Sequence, residues 1–153
     1  EVKNSNEVED PEFICSYAYN TGNCALPQDY IYFTGGNVTN EVATFDSRIL
    51  SLTTHPHMLN ARYGPSKAYI GGYLYAIGGL NWKVMRECER FAEKKWEVIP
   101  PLPLGVYDHS VIAQESTQCL YVLGGASDLG EGTDAIQELN LRTITWKQLS
   151  FTL

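Results

Sequence analysis

Apolar residues in this chain gather in short runs, and three of those runs end on a pair of glycines. They are Tyr30-Ile31-Tyr32-Phe33-Thr34-Gly35-Gly36, Tyr73-Leu74-Tyr75-Ala76-Ile77-Gly78-Gly79 and Cys119-Leu120-Tyr121-Val122-Leu123-Gly124-Gly125. The second glycines of successive pairs lie 43 and 46 residues apart, a period that marks a repeat architecture. The pattern holds its register downstream. Val42, Phe45 and Leu52 follow the first pair, Cys88, Phe91 and Trp96 the second, and Ile136, Leu139 and Trp146 the third. Upstream of each pair lies one more extended stretch, at residues 13–19, 66–70 and 109–113.

Each unit therefore predicts about four strands, rich in Tyr, Ile, Val and Phe and bounded by Gly, Pro, Asn and Asp. The runs before the glycines are apolar at nearly every position, as in strands covered on both faces. No window sustains a helical period, and Pro56, Pro65, Pro100, Pro101 and Pro103 interrupt the longer candidates. The expected class is all-β, with three four-stranded antiparallel sheets stacked on one another.

These units resemble kelch repeats, the blades of a kelch-type β-propeller. The family pattern is an apolar strand, a Gly-Gly pair, then an aromatic residue and a tryptophan about seven residues apart. The second unit matches with Phe91 and Trp96, though its turn is two residues shorter than usual, and the third with Leu139 and Trp146. The first is degenerate, with Leu52 at the tryptophan place. The resemblance implies a ring of about six blades, of which three are present here. Residues 1–11 are expected to be an acidic linker or the end of a preceding segment, with blades at about 12–56, 57–103 and 104–153.

Within such blades Gly35, Gly36, Gly78, Gly79, Gly124 and Gly125 are expected to be structural. Lacking a Cβ, they adopt unusual backbone angles and let a neighbouring aromatic ring approach the main chain. Phe91, Trp96 and Trp146 are expected to fill the space between blades, each ring burying ~150–250 Å², and Phe45 is counted with the structural motif. Three stacked sheets leave two apolar end faces bare. The faces bearing Tyr32 and Phe45 at one end, and Tyr121 and Trp146 at the other, are expected to meet more blades of the same chain or a second copy.

A net charge of −7 without a Lys/Arg cluster argues against nucleic acid, because counterion release needs several cationic contacts. No apolar run reaches the length of a membrane span. Cys15, Cys24, Cys88 and Cys119 lack paired spacing and are read as free thiols of a cytoplasmic protein, with a Cys15–Cys24 bridge as the rival. Asn37-Val38-Thr39 is a glycosylation sequon that matters only in a secreted chain.

The candidates for chemistry are few. His55-Pro56-His57 offers two imidazoles without the further ligands a metal needs. Asp108-His109-Ser110 cannot converge as a triad, since consecutive side chains diverge along an extended strand. Residues 124–132 are rich in glycine but carry no P-loop lysine and open no predicted helix. Some kelch-type propellers are copper oxidases, yet no matching ligand set can be assigned here. No catalytic residue, metal or cofactor is expected.

The expected function is protein–protein binding by a non-enzymatic module or scaffold, as in substrate-adaptor or cytoskeleton-associated kelch proteins. The rivals are a copper-oxidase-type enzyme and an architectural subunit of a larger assembly. Loops 37–40, 80–84 and 126–133, with the connections 55–63 and 100–108, are expected on one face. Arg62, Trp82 and Tyr107 are the contact candidates, because arginine and aromatic side chains dominate interface energetics. In peptide-binding kelch propellers an arginine before the innermost strand reaches an acidic ligand. Arg62 resembles it, but the third unit has Gly105-Val106 at that place. The acidic balance points instead to a basic or mixed partner surface.

Overall fold

In the computed structural model, residues 22–25, 30–128 and 130–149 are described, the first four through their backbone alone. They form three four-stranded antiparallel meanders and no helix. The first comprises β1 (Gly22–Ala25), β2 (Tyr30–Thr34), β3 (Val42–Asp46) and β4 (Ser51–Thr54). The second comprises β5 (Ser66–Ile70), β6 (Tyr73–Ile77), β9 (Cys88–Ala92) and β10 (Lys95–Ile99), with the hairpin β7 (Leu80–Asn81) and β8 (Lys83–Val84) inserted after β6. The third comprises β11 (Ser110–Gln114), β12 (Cys119–Leu123), β13 (Ile136–Asn140) and β14 (Thr145–Gln148). The innermost strand β5 lies beside both β1 and β11, so the sheets stack side by side about their first strands.

The strand beside β2 is Gly22–Ala25; the stretch at 13–19 expected there lies outside the described residues, as do the proposed linker at 1–11, Cys15 and the side chain of Cys24.

Strand register explains the repeat. Phe45 faces Leu52, Phe91 faces Trp96 and Leu139 faces Trp146 directly across a strand pair. The spacing between partners differs only because the turn does. Residues 47–50 and 141–144 make four-residue turns, whereas Glu93 and Lys94 close the second hairpin alone, at φ 47° and 71°. Positive φ at both central residues is the hairpin turn whose twist matches that of the strands.

Register also corrects the expected end faces. Tyr32 pairs with Thr44 and packs inward with Val42, Met58, Leu74, Ala76 and Trp96, between the first and second sheets. Phe45 pairs with Ile31 on the opposite, outward face, beside Phe33, Ala43 and Leu52. Likewise Trp146 points inward, onto the cluster of Ala68, Tyr75, Ile77, Leu120, Val122 and Leu139 between the second and third sheets. Of the four residues assigned to bare ends, Phe45 and Tyr121 face outward, and Tyr32 and Trp146 do not.

The glycine pair is wedged between connections. A Cβ on Gly78 would lie 2.5 Å from the Val106 carbonyl oxygen, and one on Gly79 2.8 Å from that of Tyr63. Both residues sit at positive φ, 56° and 107°. What requires glycine is thus the close approach of two inter-sheet connections, not the aromatic ring expected there.

Candidate functional site

Each connection between sheets is captured by the sheet that follows it. At the first seam the Glu89 carboxylate accepts the backbone N–H groups of Leu59 and Asn60, at 2.6 and 3.2 Å. The Arg62 guanidinium donates to that carboxylate and to the carbonyls of Gly78 and Glu87, at 2.7 and 2.9 Å. Both side chains are fully buried. At the second seam Gln137 takes the place of Glu89. Its Oε1 accepts from Leu104 N–H at 2.8 Å, and its Nε2 donates to the Leu104 carbonyl at 3.1 Å. Val106 there holds the place of Arg62, so a neutral pair replaces a charged one. Both tryptophans add the same clasp: Trp96 Nε1 donates to the Pro56 carbonyl at 2.9 Å, and Trp146 Nε1 to that of Pro100 at 2.8 Å.

Arg62 is therefore not a contact residue. It is 0% exposed, and its donors are spent on main chain and on Glu89. The repeat itself held a signal for this, since Arg62 with Glu89 in one unit stands against Val106 with Gln137 in the next.

The same connections carry the loops that follow the glycine pairs. Arg62 N–H donates to Thr39 at 2.9 Å, Tyr63 and Leu80 exchange two bonds of 2.8 Å, and Tyr107 and Ala126 exchange bonds of 3.1 and 2.9 Å. Loops and connections thus meet at one end of the stack. Asn81 Nδ2 donates to the Ala61 carbonyl at 3.1 Å, and Val84 N–H to Asp128 Oδ1 at 3.3 Å, so the β7–β8 hairpin is tied on both sides. At its tip stands Trp82, 99% exposed and at φ 58°. Positive φ is ordinary at such a tip, as at Glu93 and Lys94, and it turns the Trp82 side chain out into water. Tyr107 is half-buried beneath the same end. Lys83 beside Trp82 is exposed, as are Asp108, Asp128, Glu131 and Asp134 on the loops of the third sheet.

Of the other chemical candidates, His55, His109, Cys88 and Cys119 are engaged in packing. His55 Nε2 lies 2.7 Å from Thr44 Oγ1, its ring stacks on Tyr32 at 5.7 Å, and burial lowers its pKa. His57 is exposed. His109 is buried at the second seam between exposed Asp108 and Ser110, and its carbonyl accepts from Ser66 Oγ. Burial pushes its imidazole down to about 4, with the Ile77 main chain opposing. Cys88 and Cys119 are buried free thiols, and burial pushes Cys88 up to about 12, out of the nucleophilic range. Among the described residues no three His, Cys, Asp or Glu side chains gather as a metal site, and no helix is long and apolar enough to cross a membrane.

Glycine-paired meanders stacked about their first strands, with loops gathered at one end, are blades of a β-propeller. The chain belongs to the kelch-repeat family, as the Kelch motif matching residues 61–103 and the kelch-like relatives show. Mouse Kelch-like protein 35 is 32% identical over 127 residues, covering 80% of this chain and 22% of that protein. The Kelch repeat and BTB domain-containing protein 2 of cowpox virus (strain Brighton Red) is 25% identical over 129 residues, covering 82% and 20%. Among solved structures, YjhT superposes with a TM-score of 0.76 at 14% identity, over 88% of this chain and 52% of that one. The chain spans about a fifth of the length of the curated relatives it matches.

Proposed function

We propose that this chain is a non-enzymatic protein-binding module of the adaptor kind, and that it engages its partner through the loop end around Trp82. The exposed indole carries this reading. An indole presented to water at a hairpin tip is free to enter a partner's pocket, and tryptophan heads the residues that dominate interface energetics. Its hairpin is braced at Ala61 and Asp128, so little ordering remains to be done on binding. Tyr107 lies on the connection paired with Ala126 at the same end, and the carboxylates of Asp108, Asp128, Glu131 and Asp134 favour a basic or mixed partner surface. Kelch-like and kelch/BTB relatives support an interaction role. The free thiols Cys88 and Cys119 accord with a cytoplasmic setting.

The test is capture of a partner by the wild-type chain, followed by titration of Trp82→Ala. Binding should weaken by at least ~2 kcal/mol with the melting temperature unchanged. Undiminished binding by Trp82→Ala would remove this face from consideration.

A further inference from the structure

One short segment supports the loops of two sheets at once. The Val106 carbonyl accepts the Gly79 N–H at 2.9 Å, and Tyr107 exchanges bonds of 3.1 and 2.9 Å with Ala126. The segment is wedged against both glycine pairs: a Cβ on Gly78 would lie 2.5 Å from the Val106 oxygen, and one on Gly125 2.7 Å from the Tyr107 oxygen. His109 closes it. This residue is 7% exposed, its carbonyl accepts from Ser66 Oγ, and its Cε1 would stand 3.1 Å from a Cβ on Gly78. Neither ring nitrogen makes a hydrogen bond of ordinary geometry, and the Ile77 main chain favours the cation less than burial opposes it. The charged groups on the surrounding elements do not compensate. Asp108 lays its Oδ1 over Gly64, 2.7 Å from where a Cβ there would stand. Arg62 reaches the Gly78 carbonyl from the first seam, a cation that opposes a second one. Arg86 is held to the Leu102 carbonyl at 2.6 Å, and the Glu87 carboxylate to the Arg86 N–H at 3.0 Å. Lys67 alternates to the face of β5 away from Ser66 and Ala68. Tyr107 and Cys88 bring no charge.

We propose that residues 106–109 form a proton-operated latch on the loop end. When His109 takes up a proton, its imidazole leaves the seam for water, and the loops held by Val106 and Tyr107 are released. A buried cation without a partner is costly, whereas a connection held by a few hydrogen bonds opens locally. Burial holds the imidazole at about 4 in the closed latch, against an ordinary 6.5 in the open one, so proton uptake favours opening as pH falls below 6.5. Above that pH the latch is undisturbed. Histidine suits such a device because it titrates in this range. The latch is independent of the role given to Trp82, although the β7–β8 hairpin follows Gly79 directly and loosens with it.

Amide hydrogen exchange of the 153-residue chain at pH 7 and pH 5 tests it. Protection factors, which divide out the intrinsic pH dependence of exchange, should fall ~20-fold at Gly79, Tyr107 and Ala126. At both pH values these three should be less protected than Leu120 and Leu139 in the core, whose amides report global unfolding. In His109→Gln their protection should be the same at the two pH values. Should that variant fail to fold by circular dichroism, the wild-type imidazole is followed by NMR, and its protonation should coincide with loss of protection at Tyr107 and Ala126. The proposal is overturned if His109 protonates while these amides stay protected, or if their protection is unchanged at pH 5. It is overturned equally if they are as protected as Leu120 and Leu139, since acid then opens the whole chain, or if the pH dependence survives in His109→Gln.

Discussion

The two seams of this molecule use one geometry with two chemistries. Between the first and second sheets, a buried Arg62–Glu89 pair holds the connection beside a small apolar cluster. Between the second and third, neutral Gln137 does so beside a larger cluster that includes Leu102, Val106, Leu120 and Leu139. In both, a side chain at the second position of the third strand captures backbone amide groups of the incoming connection. The difference teaches that the repeat preserves hydrogen-bond capture, and that charge is admitted only where its partner comes too. An unpaired charge in that position would be desolvated without return.

Breaking the charged seam should have the largest effect. Glu89→Ala leaves the Arg62 guanidinium buried and unpaired, and two main-chain N–H groups orphaned. Urea unfolding at one protein concentration should show a loss of ~3–5 kcal/mol. Next comes the tryptophan clasp. Trp96→Ala should lose ~3–4 kcal/mol by emptying a buried aromatic site, whereas half-exposed Trp146 should lose about half as much on truncation. Equal losses at the two seams would mean that burial does not distinguish them.

Acid should weaken the second seam through His109. With its folded pKa near 4 against an ordinary 6.5, the unfolded chain takes up the proton first as pH falls. Stability is untouched by this group above pH 6.5 and declines between 6.5 and 4. The loss between pH 7 and 5 should be ~2 kcal/mol, and His109→Gln should remove that part of the slope. The smallest effect is expected at Gln137→Ala, ~1–2 kcal/mol, because it orphans neutral groups only.

Much of this architecture was legible in the chain. The glycine pairs and the Phe91–Trp96 and Leu139–Trp146 partners announced the sheets, because each repeat must solve the same packing problem. Face assignment was not legible. Tyr32 and Phe45 were set on one end, but β2 is apolar at nearly every position, so alternation could not say which side was which. Trp146 was assigned both to the space between blades and to an end face. It packs between the second and third sheets, and the end-face assignment failed because Tyr121, grouped with it, lies on the opposite face of the sheet. Arg62 looked like a contact because arginine in a loop ordinarily reaches water. Its burial depends on Glu89, 27 residues away on another strand. Trp82, by contrast, has no neighbour to hide it, and its exposure followed from its place at a hairpin tip.

The most direct test of the seam account is a double-mutant cycle that converts the first seam to the chemistry of the second. Arg62→Val, Glu89→Gln and the double variant are compared with wild type by urea unfolding. Each single change should cost at least ~2 kcal/mol, and the double should return to within ~1 kcal/mol of wild type. Losses that simply add, leaving the double variant the least stable of the four, would contradict the claim that these two residues form one interchangeable device.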